Sequence, residues 1–235
     1  LARYSQPLAT AWISAGLKEF PAAFTRLEPL AKEKGFAVLS NLHLGLLNEY
    51  AGRKNKALVI YRKASKEMQK VPLRMVRALG SLLEREGKVA EAKTLYEAYL
   101  TAHPASRLIN YELKRLETGK AARPIALDAA SGFAEGMFNL ASALPINRVG
   151  ATALLYARIA VYLKPDFPVV QLLMGDIFDV SRRYEESIAI YRTIALDSPY
   201  SWLARLKMAE NLNNTDRIDE AKTLLEALAT ERPTD

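Results

Sequence analysis

The chain has 235 residues, 50% hydrophobic and 25% charged, with a net charge of +7, two histidines and no cysteine. This is the composition of a folded chain of one large or two small domains, and it excludes disulfides, thiolate metal sites and cysteine nucleophiles. No apolar run reaches the ~18–20 residues that span a bilayer, and no signal peptide is visible.

Charge is unevenly distributed. Residues 1–120 hold 21 Lys and Arg against 11 Asp and Glu, whereas residues 121–235 hold 12 against 15. Ends of opposite sign suit different partners. The chain opens on LARYSQPLAT, without Met, so a trimmed or mature piece is one reading and the compartment stays open.

Along the chain, helical apolar spacing comes in pairs of segments of about a dozen residues each. A weaker first unit covers 4–37, with Ala11, Ala23 and Leu27 at places eight, twenty and twenty-four. The second, 38–71, has Gly45, Ala57 and Tyr61 at those places and Gly52 between its helices. The third, 73–106, has Gly80, Ala92 and Tyr96, with Gly87 between, and Val76, Leu79 and Leu83 along its first helix. Glycine between the helices predicts a left-handed turn that closes the first one. Pro104, and later Pro165, Pro199 and Pro233, are expected to stop the second helix, which proline cannot continue.

Residues 107–133 break the rhythm. Ile109, Leu113 and Leu116 make a helical stripe, but Lys114 stands where a small residue belongs, and a Pro-containing stretch follows Gly119. This segment is expected to be a shortened, degenerate repeat, with a flexible hinge as the rival reading. Units 134–167, 168–201 and 202–235 then carry Ala141, Gly175 and Ala209 at place eight, and Ala153, Ser187 and Ala221 at place twenty. The expected organisation is an N-terminal array over 1–106, a joining segment over 107–133 and a C-terminal array over 134–235.

Small residues at places eight and twenty, a large apolar or aromatic residue at twenty-four and a late Pro resemble the tetratricopeptide repeat family. The resemblance implies an all-α, right-handed α-solenoid of antiparallel helix pairs, with about six repeats of 34 residues plus the degenerate one. Stacked units would supply the core that no single unit can bury. The aromatic at place twenty-four is expected to fill the wedge between neighbouring units.

In that family the first helices line a concave groove. Carried onto this sequence, the N-terminal groove would present Trp12, Leu42, Leu46, Tyr50, Arg74, Arg77 and Arg85, and the C-terminal groove Phe138, Asp176, Asp179 and Asn213. The first set suits an extended peptide with apolar anchors and a carboxylate. Packing between helices is the alternative for Leu39 and Leu42. The family's carboxylate clamp uses Lys at place five and Asn at place nine. Here place five reads Leu8, Leu42, Arg77, Phe138, Leu172 and Leu206, and place nine has no Asn, which argues against a clamp of that type.

Nothing in the sequence points to catalysis. His43 and His103 have no partner at metal-ligand spacing, and GSLLEREGK (80–88) has six residues between glycines where a phosphate loop needs four. Asp176 and Asp179 lie one helical turn apart without a third ligand. No cofactor, metal or small-molecule substrate is expected. The expected function is a non-catalytic scaffold or adaptor for a protein or peptide partner.

The style of RRYEESIAIYRTIALDSPYSWLARLKMAENL is similar to bacterial members of the family, many of which serve cell-envelope assembly or carry a protease partner. This favours the envelope over the cytoplasm. Two rivals remain: the repeat domain of a larger enzyme, or an anion-binding module. The anion-binder would use the Lys63, Lys66 and Lys70 stripe on a membrane surface, with nucleic acid less favoured for want of interleaved aromatics. The chain stops at Asp235, the last place of its sixth unit. Continuation of the natural protein, or pairing of Leu224, Leu225 and Leu228 with a second copy, is expected there.

Overall fold

The computed structural model describes residues 2–68, 70–120 and 122–231. Among these residues it has thirteen helices and no strand: α1 (Ala2–Gly16), α2 (Phe20–Lys32), α3 (Ala37–Tyr50), α4 (Lys54–Glu67), α5 (Leu73–Arg85), α6 (Val89–Ala102), α7 (Arg107–Glu117), α8 (Ala129–Ser142), α9 (Ile146–Leu163), α10 (Pro168–Val180), α11 (Tyr184–Tyr191), α12 (Ser201–Asn214) and α13 (Ile218–Glu231). The fold is an all-α solenoid of helix pairs. Its contacts form two compact units, Leu1–Gly136 and Met137–Asp235, with the boundary inside α8.

In the first unit each helix from α1 to α7 packs on the next, and in the second the same holds from α9 to α13. The turns between paired helices share one backbone device. Place fifteen is left-handed at Gly52 (φ 74°) and Gly87 (φ 72°), but also at Lys18 (φ 64°), Arg182 (φ 56°) and Asp216 (φ 58°). The turn geometry therefore recurs whether or not glycine is present, at a strain of roughly 1–2 kcal/mol for a residue with a Cβ. The unit 134–167 departs from the pattern. Val149 is non-helical inside its second helix, α9.

The expected places twenty are buried: Ala23, Ala57, Ala92, Ala153, Ser187 and Ala221 are all inaccessible or nearly so. The aromatic at place twenty-four lies on the place-eight glycine of its own unit. A Cβ on Gly45, Gly80 or Gly175 would come closer than 3.0 Å to the ring of Tyr61, Tyr96 or Tyr191 respectively. Where place eight is alanine (Ala11, Ala141, Ala209), place twenty-four is Leu27, Ala157 or Leu225. The space of one methyl group decides whether a tyrosine fits.

Proline ends the second helix less uniformly than expected. Helices α6 and α9 stop two residues before Pro104 and Pro165, in line with the bias against helix in residues preceding proline. Helix α11 has only eight residues and stops at Tyr191, well before Pro199. Pro233 and Asp235 lie outside the described residues. Leu228 is buried, Leu224 half-buried and Leu225 44% exposed, so the stripe expected to be open on α13 is largely covered.

Candidate functional site

The inner face of the first unit is built from α1, α3 and α5, and its polar groups are linked in series. The buried Tyr61 and Tyr96 hydroxyls donate to Glu49 (2.7 Å) and Glu84 (2.8 Å). Burial first, and then the neighbouring carboxylate, pushes both phenols well above their ordinary pKa. Glu49 is held in turn by Arg85. Glu84 accepts from Arg115 Nη1 (2.6 Å) and Nη2 (2.7 Å) and from the backbone N–H of Ala122 (3.1 Å). Arg115 also meets Glu112 (3.0 Å), which takes Arg77 at 2.8 Å. Charge-assisted bonds of this kind, largely shielded from water, are the strong ones.

A second layer covers this face. The Arg123 carbonyl accepts from Ser81 Oγ at 3.2 Å, and Glu135, fully buried, is gripped by Arg74, whose Nε donates at 2.8 Å. Residues 129, 132 and 136 meet 16, 12 and 8 in turn. A Cβ on Gly16 would sit 3.1 Å from Ala129 Cβ, one on Gly132 would enter the Trp12 indole, and one on Gly136 would stand 3.3 Å from Leu8. The first half of α8 thus runs antiparallel to α1 inside the groove. Three small residues at helical spacing let it lie that close.

These contacts correct the groove assignment for the first unit. Trp12, Leu42 and Leu46 are buried (1%, 3% and 1% exposed), so they anchor the packing and offer no open surface. Trp12 Nε1 donates to His43 Nδ1 at 3.0 Å. Burial, reinforced by Arg74, lowers the His43 pKa from 6.5 to about 3, so the ring is neutral. Tyr50 is half-buried and accepts from Lys18 Nζ at 2.8 Å. Arg74, Arg77 and Arg85 do not await a carboxylate from outside, since Glu135, Glu112 and Glu49 already supply one each. The acidic partners are all in the sequence, but their pairings span 35, 36 and 61 residues and no local pattern announces them.

The second unit differs. Asp176 on α10 accepts from Tyr191 Oη at 2.8 Å and pairs with Lys207 on α12 at 2.9 Å, with both side chains 29% exposed. Asp179, one turn further along α10, is half-buried, and its carboxylate makes no hydrogen bond or ion pair among the described residues. Asn213 is exposed, as are Glu210 and Asn214, while Leu172 and Leu206 are half-buried. Phe138 is half-buried and packs on Phe167 with ring centroids 5.6 Å apart. Below this surface Ser187 donates to the Gly175 carbonyl (2.9 Å) and accepts from Asn211 Nδ2 (2.9 Å), which fixes α10, α11 and α12 together. Among the described residues no three His, Cys, Asp or Glu side chains cluster in a way that would hold a metal ion.

A family model described as the tetratricopeptide repeat matches residues 78–106 and 203–235. No curated protein matches the chain. Solved structures with similarity to it include a thermophilic TPR protein of Thermus thermophilus, with 19% identity over 84% of this chain and 93% of that one and a TM-score of 0.36. Another is a tetratricopeptide repeat protein from Parabacteroides merdae, with 15% identity, 98% and 80% coverage and a TM-score of 0.38. A third is the TPR2AB domain of yeast Sti1 in its pHSP90 complex, with 16% identity, 95% and 97% coverage and a TM-score of 0.37. The matched segments fall on α5–α6 and α12–α13, two of the helix pairs that carry the left-handed turn at place fifteen. Residues 78–106 and 203–235 thus match the tetratricopeptide repeat, within an all-α fold of helix pairs of that kind.

Proposed function

We propose that the chain is a non-catalytic scaffold that holds a protein partner on the inner face of its second unit. Tetratricopeptide repeats in general mediate protein–protein interaction. The observation that carries the choice of face is the contrast between units: α8 fills the inner face of the first, while α10 and α12 keep Asp179, Glu210 and Asn213 in contact with water. Half-buried Leu172 and Leu206 lie among these polar groups. Apolar anchors beside carboxylates suit a peptide segment that carries leucine-like side chains and a basic residue. A bacterial envelope or protease-adaptor setting is the finer form of this reading, and it rests on the sequence style of residues 182–212 alone.

Photo-crosslinking tests it. A benzophenone side chain placed at Asn213 should capture a discrete partner from the native cell extract, and one placed at Ser81 should capture none. Capture at Ser81 with none at Asn213 would reverse the assignment of the faces.

A further inference from the structure

Helices α2, α3 and α4 enclose an open cleft of about 500 Å³ in the first unit, away from the face that α8 covers. Its floor is Phe24, Leu44 and Ile60, each half-buried, and its wall is Val59, 64% exposed. Among the described residues, the charged ones lining it are Arg53 and Lys56. The Arg53 guanidinium stands 5.0 Å from the centroid of the Phe24 ring, which keeps a cation at the rim. Helix α4 has no acid in its first turn; further along it Lys66 is exposed, while the exposed Lys63 pairs with Glu67 at 3.9 Å.

We propose that this cleft is a second docking site, for an acidic peptide segment of another protein that inserts one leucine or phenylalanine side chain. Charge complementarity selects the occupant. An apolar floor with a cationic rim and no lining acid favours an apolar anchor flanked by Asp or Glu, and the lack of an acid disfavours a basic ligand. The volume accommodates a few side chains, which suits a short linear segment. The basic excess of residues 1–120 is thereby given a use, since the arginines of the inner face are already matched by internal acids.

The test is fluorescence polarisation with a labelled, terminally blocked hexapeptide Glu-Glu-Leu-Phe-Glu-Glu, compared with Lys-Lys-Leu-Phe-Lys-Lys. The acidic peptide should bind saturably, and the basic one at least about tenfold more weakly. Lys56→Glu and Val59→Asp should each weaken the acidic peptide by about tenfold or more, with unchanged circular dichroism because both residues are exposed. Methyl shifts should localise at Leu44, Val59 and Ile60. Equal affinity for the two peptides, or affinity unchanged by Val59→Asp, would overturn the proposal. Concentration-dependent dimerisation that Val59→Asp abolishes would hand the cleft to a second copy, and phosphatidylserine vesicles bound through Val59 would hand it to a membrane; either result overturns the peptide.

Discussion

Gly80→Ala is the sharpest test of the packing rule. In an exposed helix the change would stabilise by up to about 1 kcal/mol, because alanine is the better helix former. Here the new methyl would lie closer than 3.0 Å to two ring carbons and the hydroxyl oxygen of Tyr96. That ring is fully buried, and its hydroxyl is tied to Glu84, which also holds Arg115 and the Ala122 N–H. Overpacking of this kind costs about 1–3 kcal/mol, and a displaced phenol stretches a charge-assisted bond worth about 1.5–3 kcal/mol. After the helix gain is subtracted, a net loss of about 2–3 kcal/mol is expected. Urea unfolding followed by circular dichroism measures it. Adding Tyr96→Leu, the pairing that Ala11–Leu27 and Ala209–Leu225 already use, should recover part of the loss, with a coupling above about 1 kcal/mol. A Gly80→Ala protein as stable as the parent, or more so, would refute the rule.

Three other changes follow from the same structure. Arg182→Gly relieves a left-handed residue on an exposed turn and should raise stability by about 0.5–1 kcal/mol in the same assay. Arg74→Ala removes the guanidinium that grips the fully buried Glu135 and should cost about 3–5 kcal/mol, while Arg74→Ala with Glu135→Gln recovers much of it. His43 titrates near 6.5 when unfolded and at about 3 when folded, so the unfolded chain binds the extra proton and stability falls as pH drops below 6.5. Between pH 7.5 and 5 the loss from this group should be about 2 kcal/mol, and His43→Gln, which keeps an acceptor for Trp12, should remove that share of the slope.

The helix pairs were legible because each unit repeats its small residues and its turn at fixed places. Ala92 and Ala153 are buried where the repeat puts them. The rule joining Gly45, Gly80 and Gly175 to their tyrosines is also visible in the sequence, but only when places eight and twenty-four are compared across units. The inner face of the first unit was not legible. Trp12 and Arg74 occupy groove places, and each is covered by a segment more than 50 residues away in sequence that folds back on it. The spacing of Ala129, Gly132 and Gly136 is the trace of that segment, and by itself it looks like a short Ala-rich connection. The resemblance supplied the place of the groove, and long-range ion pairs decided which part of it stays open.

That decision is open to a direct measurement, because the chain has no cysteine of its own. A Gly16→Cys, Ala129→Cys double variant puts two Cβ atoms about 3.1 Å apart, so that a shift of a few tenths of an ångström brings them to the roughly 3.5–4.5 Å of a disulfide. Mild oxidation should close the bridge within one chain, with both thiols lost, monomeric mass unchanged on a non-reducing gel and circular dichroism preserved. Two thiols that stay free, or that link only between chains, would mean that α8 does not lie in the first groove, and the assignment of partner binding to the second unit would fall with it.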